Sequence, residues 1–425
     1  MAILITPKYL SSFYKKSIIF VFLSILGAVF NYLLFPVAAR ILNTREFGDF
    51  TTISALSNQI LGIFLAFNVI SIYLVKTNSE IEAREKSQVI LKILIWLLAI
   101  ITLLTIILSP VLKNKLQIVS GGGFLLLALI VLVSLPAIVW NGYLQGHKET
   151  DKVGLFALTS AVFKLIISAA LLYLFGVAGG LLGISLGIVC GLIILFFSTK
   201  RNLPNLISVF SRIKPSDNKF VASISKYVIE AILVVGGLGF LQNIDILYAK
   251  SMFSPHTAGI YSGISTISNS VYYICFLLVW VLLPEIDINN SKNNKKVVGT
   301  AYKFLGIISL LVISAELLFS KLIVQIFLGN KFVGQSSLLV IATMFQIALV
   351  AITIYAYYLL VLRNRKSMLM AFMVIVPTIV FPLFFNKTPK ILITTILFCV
   401  LGGFALFVLL DKVLNNRREY VPQKN

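Results

Sequence analysis

Residues 153–198 read VGLFALTSAVFKLIISAALLYLFGVAGGLLGISLGIVCGLIILFFS, an apolar run interrupted by a single charge, Lys164. A helix needs about 20 apolar residues to cross the hydrocarbon core of a bilayer, so this run is too long for one crossing. Phe175-Gly176-Val177-Ala178-Gly179-Gly180 supplies turn chemistry near its middle without any charge. Two crossings follow, 153–175 and 177–198, and they fix the parity of the whole chain.

The same window moved outward finds ten further candidates: 17–39, 50–75, 89–109, 121–145, 226–249, 257–283, 298–320, 333–361, 368–386 and 391–410. The expected fold class is therefore an all-α integral membrane protein of about 12 transmembrane helices. Composition agrees, with 59% hydrophobic residues, 12% charged residues and a mean hydropathy of +1.00 over 425 residues. A water-soluble domain carries about 25% charged residues, which excludes that class here. The first apolar run, from Ser17 to Ala39, has no small-residue cleavage pattern and reads as a retained span, not a signal peptide.

The net charge of +21 could mark a nucleic-acid partner or a topology. Its distribution along the chain decides. Of the 36 Lys and Arg, 24 fall in the tails and loops on the side of the two termini, 9 on the opposite side, and Lys92, Lys164 and Lys303 within or at the ends of spans. The positive-inside rule then places both termini in the cytoplasm. No nucleic-acid partner is called for.

The longest hydrophilic stretch, 199–225, divides a six-helix half at 1–198 from a second at 226–425. The two halves also share a sequence. Gly48-Asp-Phe-Thr-Thr-Ile-Ser-Ala-Leu-Ser-Asn58 lies over Gly259-Ile-Tyr-Ser-Gly-Ile-Ser-Thr-Ile-Ser-Asn269 at a constant offset of 211, with Gly, Ile, Ser, Ser and Asn identical. Six helices per copy is an even number, so the copies are parallel repeats, a transporter architecture. The outer loops are short, which disfavours a membrane enzyme acting at the outer face.

Polar groups inside spans carry the functional reading. Lys164 sits about eleven residues, or roughly 16 Å, from either end of its span, beyond the reach of snorkelling. With Ser160 and Ser168 it forms a polar stripe expected to face the bundle interior. It is a substrate contact, a buried ion-pair partner or a lysine bonded to a helix-breaking carbonyl. Arg40 at the outer end of the first span and Lys303 in the ninth either extend a cationic path between the halves or anchor their helices at headgroups. An ammonium about 4 Å from a phosphate oxygen gains about 4 kcal/mol at an effective dielectric of 20, before desolvation. Asn31, Asn58 and Asn269 are polar candidates on the first, second and eighth spans, and helix packing is the competing reading for them. Asp245 and Glu230 on the seventh span are candidates for ion coupling, because a carboxylate in low dielectric can exchange its charge for a bound proton or cation. Glu316 and Glu230, placed near span ends, read equally as interfacial side chains. Tyr272, Tyr273, Tyr355, Tyr357 and Tyr358 are aromatic candidates, with interface-belt placement or core packing as the competing reading. With two histidines, both in loops, and three scattered cysteines, neither a metal site nor a cofactor is expected.

Val37-Ala-Ala-Arg-Ile-Leu-Asn-Thr-Arg-Glu-Phe-Gly-Asp-Phe50 resembles the segment that opens Wzx-type polysaccharide flippases. Asn243-Ile-Asp245 followed by Thr257-Ala-Gly-Ile-Tyr261 is similar to that family's passage from the seventh to the eighth helix. The resemblance implies membership of the multidrug/oligosaccharidyl-lipid/polysaccharide exporter superfamily. It further implies an undecaprenyl-diphosphate-linked oligosaccharide as substrate, flipped for O-antigen or capsule synthesis, with polysaccharide polymerase machinery as a partner. A cation-coupled multidrug antiporter of the same superfamily is the alternative, and an anionic cavity would favour it.

Overall fold

The computed structural model describes residues 7–118, 122–199, 203–204, 228–282, 286, 291–362 and 364–419. Among them, ten helices are long and apolar enough to cross a membrane, and a bent pair of helices forms an eleventh candidate span. One of the ten, Thr150–Ser198, is 49 residues long and reverses at Gly176, whose φ of 58° and ψ of −140° are available in practice only to glycine. The reversal falls inside the expected turn, and the spans number twelve.

They are α1 (Pro7–Ile41), α2 (Thr44–Thr77), α3 (Glu80–Lys115), α4 (Gly123–Gly146), α5 (150–175) and α6 (177–198) in a first unit, Met1–Ile229. The second unit, Glu230–Asn425, holds the bent α7 (Val228–Leu241 with Ile244–Met252), α8 (Pro255–Leu282), α9 (Ser291–Leu328), α10 (Leu339–Val361, entered through a 3-10 segment at Asn330–Leu338), α11 (Lys366–Val380) and α12 (Pro389–Glu419). Most of the linker expected at 199–225 lies outside the described residues. Its Leu203 joins the cluster of Ala83, Trp140, Tyr143, Leu144, Val153 and Leu195, while the Pro204 carbonyl accepts from Trp140 Nε1 at 3.0 Å.

Each unit packs in the same order. In the first, α1 lies along α5, α2 along α4, α3 along α4, and α5 along α6; in the second, α7 meets α11, α8 meets α10, α9 meets α10, and α11 meets α12. A shared pairing scheme is what duplication of a six-helix unit predicts. Small residues set the close approaches. A Cβ on Gly27 of α1 would come within 2.9 Å of the Ala157 backbone on α5, and one on Gly142 of α4 within 2.5 Å of the Asn68 carbonyl oxygen on α2.

Two elements depart from expectation. α9 does not stop at residue 320 but continues to Leu328, since Lys321, which lowers the hydropathy there, is exposed and stays on the helix. α7 is not continuous either. It opens into a π-turn at Ile232–Gly236 and bends by 51° between Leu241 and Ile244. Gly236, Gly237 and Gly239 lower the cost of such irregularity, but a hydropathy average does not register backbone geometry.

Candidate functional site

The break in α7 creates the most polar interior in the second unit. Where the helix opens, backbone groups lose their helical partners and must be satisfied within the protein. The Gln242 carbonyl accepts from Gln346 Nε2 of α10 at 3.0 Å. Asn243, the residue before the Ile244–Met252 arm, accepts on Oδ1 from Asn269 Nδ2 of α8 at 2.8 Å, and Gln346 Nε2 also donates to Asn269 Oδ1. Asp245 lies in the first turn of the Ile244–Met252 arm, where the helix dipole favours negative charge. Its Oδ2 accepts from Tyr261 OH at 2.9 Å and from Ser265 Oγ at 2.5 Å.

Tyr261, Ser265 and Asn269 are spaced i, i+4, i+8 on α8 and meet the break as one face. These positions lie in the duplicated segment, whose counterparts in the first unit are Phe50, Ser54 and Asn58. Leu34 is the counterpart of Asp245 at the same offset, so the carboxylate is present in one copy only. The Ser54 hydroxyl finds no acceptor, and Asn58 is half-buried. The shared Ser and Asn thus join a hydrogen-bonded network in the second unit, and among the described residues none of the same kind in the first.

The network leaves free valences. Asp245 Oδ1, Asn243 Nδ2 and Gln346 Oε1 are buried without hydrogen-bond partners. Two are acceptors and one is a donor, with amide orientations assigned from the network. A fully buried carboxylate with one oxygen unpaired, beside a break in a helix, can take up a proton or help to hold a cation.

Lys164 occupies a different setting. Ser160, Lys164 and Ser168 of α5 face Gly191, Gly187 and Gly183 of α6. A Cβ on Gly187 would lie 2.4 Å from the Lys164 backbone nitrogen, and Ser168 Oγ donates to the Gly180 carbonyl at 3.0 Å. The backbone of the expected polar stripe is therefore seated in a helix-packing seam. Lys164 itself is half-buried, and among the described residues it makes no ion pair or hydrogen bond.

The other candidates are dispersed. Arg40 is exposed at the end of α1, Asn31 is half-buried on α1, and Lys303 is exposed on α9. Asn269 has both ends of its amide engaged in the α7 network. Glu230 Oε1 accepts from Ser367 Oγ of α11 at 2.8 Å. Glu316 is buried against α10, unlike the interfacial placement read from a shorter α9. The tyrosines pack: Tyr272 stacks on Phe276 at 5.3 Å, Phe276 meets Tyr357 at 6.1 Å, and Tyr355 meets Tyr358, Phe404 and Phe407. Gln346 and Thr343 escaped notice in the sequence. A lone amide in the 23 residues of α10 was the available signal for Gln346.

Twelve spans in two units of six with one packing scheme define a multi-pass membrane protein of transporter architecture. Solved structures share the fold. An inward-facing multidrug resistance MATE family transporter of the MOP superfamily superposes with a TM-score of 0.66 at 15% identity, covering 94% of this chain and 99% of that one. The lipid II flippase MurJ in an inward closed conformation gives 0.65 at 15% identity, covering 94% and 87%. A MATE structure in the bent conformation gives 0.62 at 15% identity, covering 95% and 97%. No curated protein matches the sequence. The chain belongs to the polysaccharide biosynthesis protein family, whose model matches residues 13–289.

Proposed function

We propose that the protein is a flippase that carries an undecaprenyl-diphosphate-linked oligosaccharide from the inner to the outer leaflet of a bacterial plasma membrane by alternating access, for O-antigen or capsule synthesis. Membership of a polysaccharide biosynthesis family and a fold shared with a lipid II flippase support this reading. The observation that carries it is Lys164, a cation in the middle of a span with no counter-ion among the described residues. A diphosphate headgroup supplies that counter-charge, whereas a cationic drug would be repelled.

In this account Lys164 holds the diphosphate, Arg40 and Lys303 add attraction along its path, and Asn31 and Asn58 offer amides to sugar hydroxyls. Asn269 acts by bracing the α7 break. Asp245 is the coupling carboxylate, with Glu230 as a second candidate on the same helix. Both termini lie in the cytoplasm, and polymerase machinery takes the product at the outer face.

The alternative is a cation-coupled multidrug antiporter, favoured by the MATE fold and by the uncompensated carboxylate at Asp245. Surface polysaccharide and sensitivity to cationic dyes, assayed in one deletion strain, separate the two. Loss of polymer with unchanged dye sensitivity supports the flippase; intact polymer with dye hypersensitivity supports the antiporter.

A further inference from the structure

A second buried carboxylate lies on α9, and its partner Thr343 stands one turn before Gln346 on α10. Glu316 of α9 is 3% exposed, while its neighbours Leu317, Leu318 and Phe319 are exposed apolar residues. Thr343 Oγ1 of α10 donates to its Oε1 at 2.8 Å, and its Oε2 is buried without any partner. Twelve residues separate Glu316 from the end of α9 at Leu328, roughly 18 Å of helix. Phe319, on the next turn, departs from helical geometry at φ −127° and ψ 20°.

Counter-charges are missing around it. α9 packs against α8, the 3-10 segment and α10. Their charged or basic groups are His256 at the first turn of α8 and Lys331 on the 3-10 segment, and on α9 itself Lys321 lies five residues on and Lys303 thirteen residues back, roughly 20 Å along the helix. None of these pairs with Glu316 among the described residues, and Lys331 lies over the Phe332 ring. Tyr261 of α8 donates to Asp245, and the Tyr357 ring of α10 packs against Phe276.

We propose that Glu316, held by Thr343 between α9 and α10, is a proton-binding site separate from the α7 network. A proton is the ligand that the geometry accommodates. A hard metal cation takes about six oxygen ligands, and among the described residues the Thr343 hydroxyl alone hydrogen-bonds to the carboxylate. Proton uptake forms an O–H bond on the carboxylate and leaves a neutral acid; release restores the anion, with no other reactant. An isolated buried carboxylate is costly in low dielectric, so occupancy by a proton changes how readily α9 and α10 stay packed. The site stands whether or not the protein moves a lipid-linked sugar.

The test is infrared difference spectroscopy of the full-length protein in lipid vesicles as the pH is stepped. The expected result is a protonated-carboxyl band that changes with pH, loses one residue's amplitude in Glu316→Gln, shifts in Thr343→Val and survives in Asp245→Asn. Identical spectra for wild type and Glu316→Gln would overturn the proposal. If Glu316→Gln does not fold, an unshifted band in Thr343→Val overturns it equally.

Discussion

Single residues divide into those that complete their hydrogen bonds and those that do not. Asn269 is of the first kind and Lys164 of the second. Lys164→Ala should therefore abolish surface polysaccharide while leaving protein level near wild type, measured by polymer immunoblot beside quantitation of the membrane protein. Lys164→Arg should retain part of the activity, because the charge remains. Gln346→Leu removes the donor to both the Gln242 carbonyl and Asn269, and each buried group left unpaired costs about 1–3 kcal/mol. A lowered unfolding temperature in detergent is the expected outcome. Asp245→Asn should weaken the dependence of transport on the ion gradient, read as uptake with and without an uncoupler. The sequence made Lys164 and Asp245 visible, since charge inside an apolar window stands out. It concealed Gln346 and Thr343, because an uncharged polar residue gains significance only from what it meets across the bundle.

Among elements, the α5–α6 hairpin and the broken α7 contrast in how well sequence announces them. The hairpin is written in its glycines: Gly176 makes the reversal, and Gly183, Gly187 and Gly191 admit α5 at close range. Gly187→Leu would force a side chain into the Lys164 backbone, at a cost of about 1–3 kcal/mol from overpacking. A fall in thermal stability with correct membrane insertion is the expected result. The break in α7 was not legible, because its residues are apolar enough to read as one continuous helix. Its cause is tertiary: the amides of α8 and α10 satisfy the opened backbone and the side chains beside it. The length of α9 was misjudged for a related reason, as Lys321 lowers a hydropathy average without ending a helix.

For the whole molecule, twelve spans and a twofold internal repeat were legible because bilayer thickness imposes a length on every crossing and charge imposes a sidedness on every loop. The duplicated segment pointed to the repeat, and equivalent helix pairings in both units bear it out. The repeat also exposes an asymmetry, a carboxylate at 245 against a leucine at 34, so the proposed coupling carboxylate is present in one copy only. Reporter fusions in the loop at 146–152 should read as cytoplasmic and those near residue 117 as external, if both termini are inside. The central claim is that the protein flips a diphosphate-linked oligosaccharide using Lys164. Its most direct test is the leaflet distribution of lipid-linked oligosaccharide in a deletion strain complemented with wild type or Lys164→Ala. The account predicts accumulation on the cytoplasmic side that wild type reverses and Lys164→Ala does not. Normal outer-leaflet delivery in the deletion strain, or full rescue by Lys164→Ala, would contradict it.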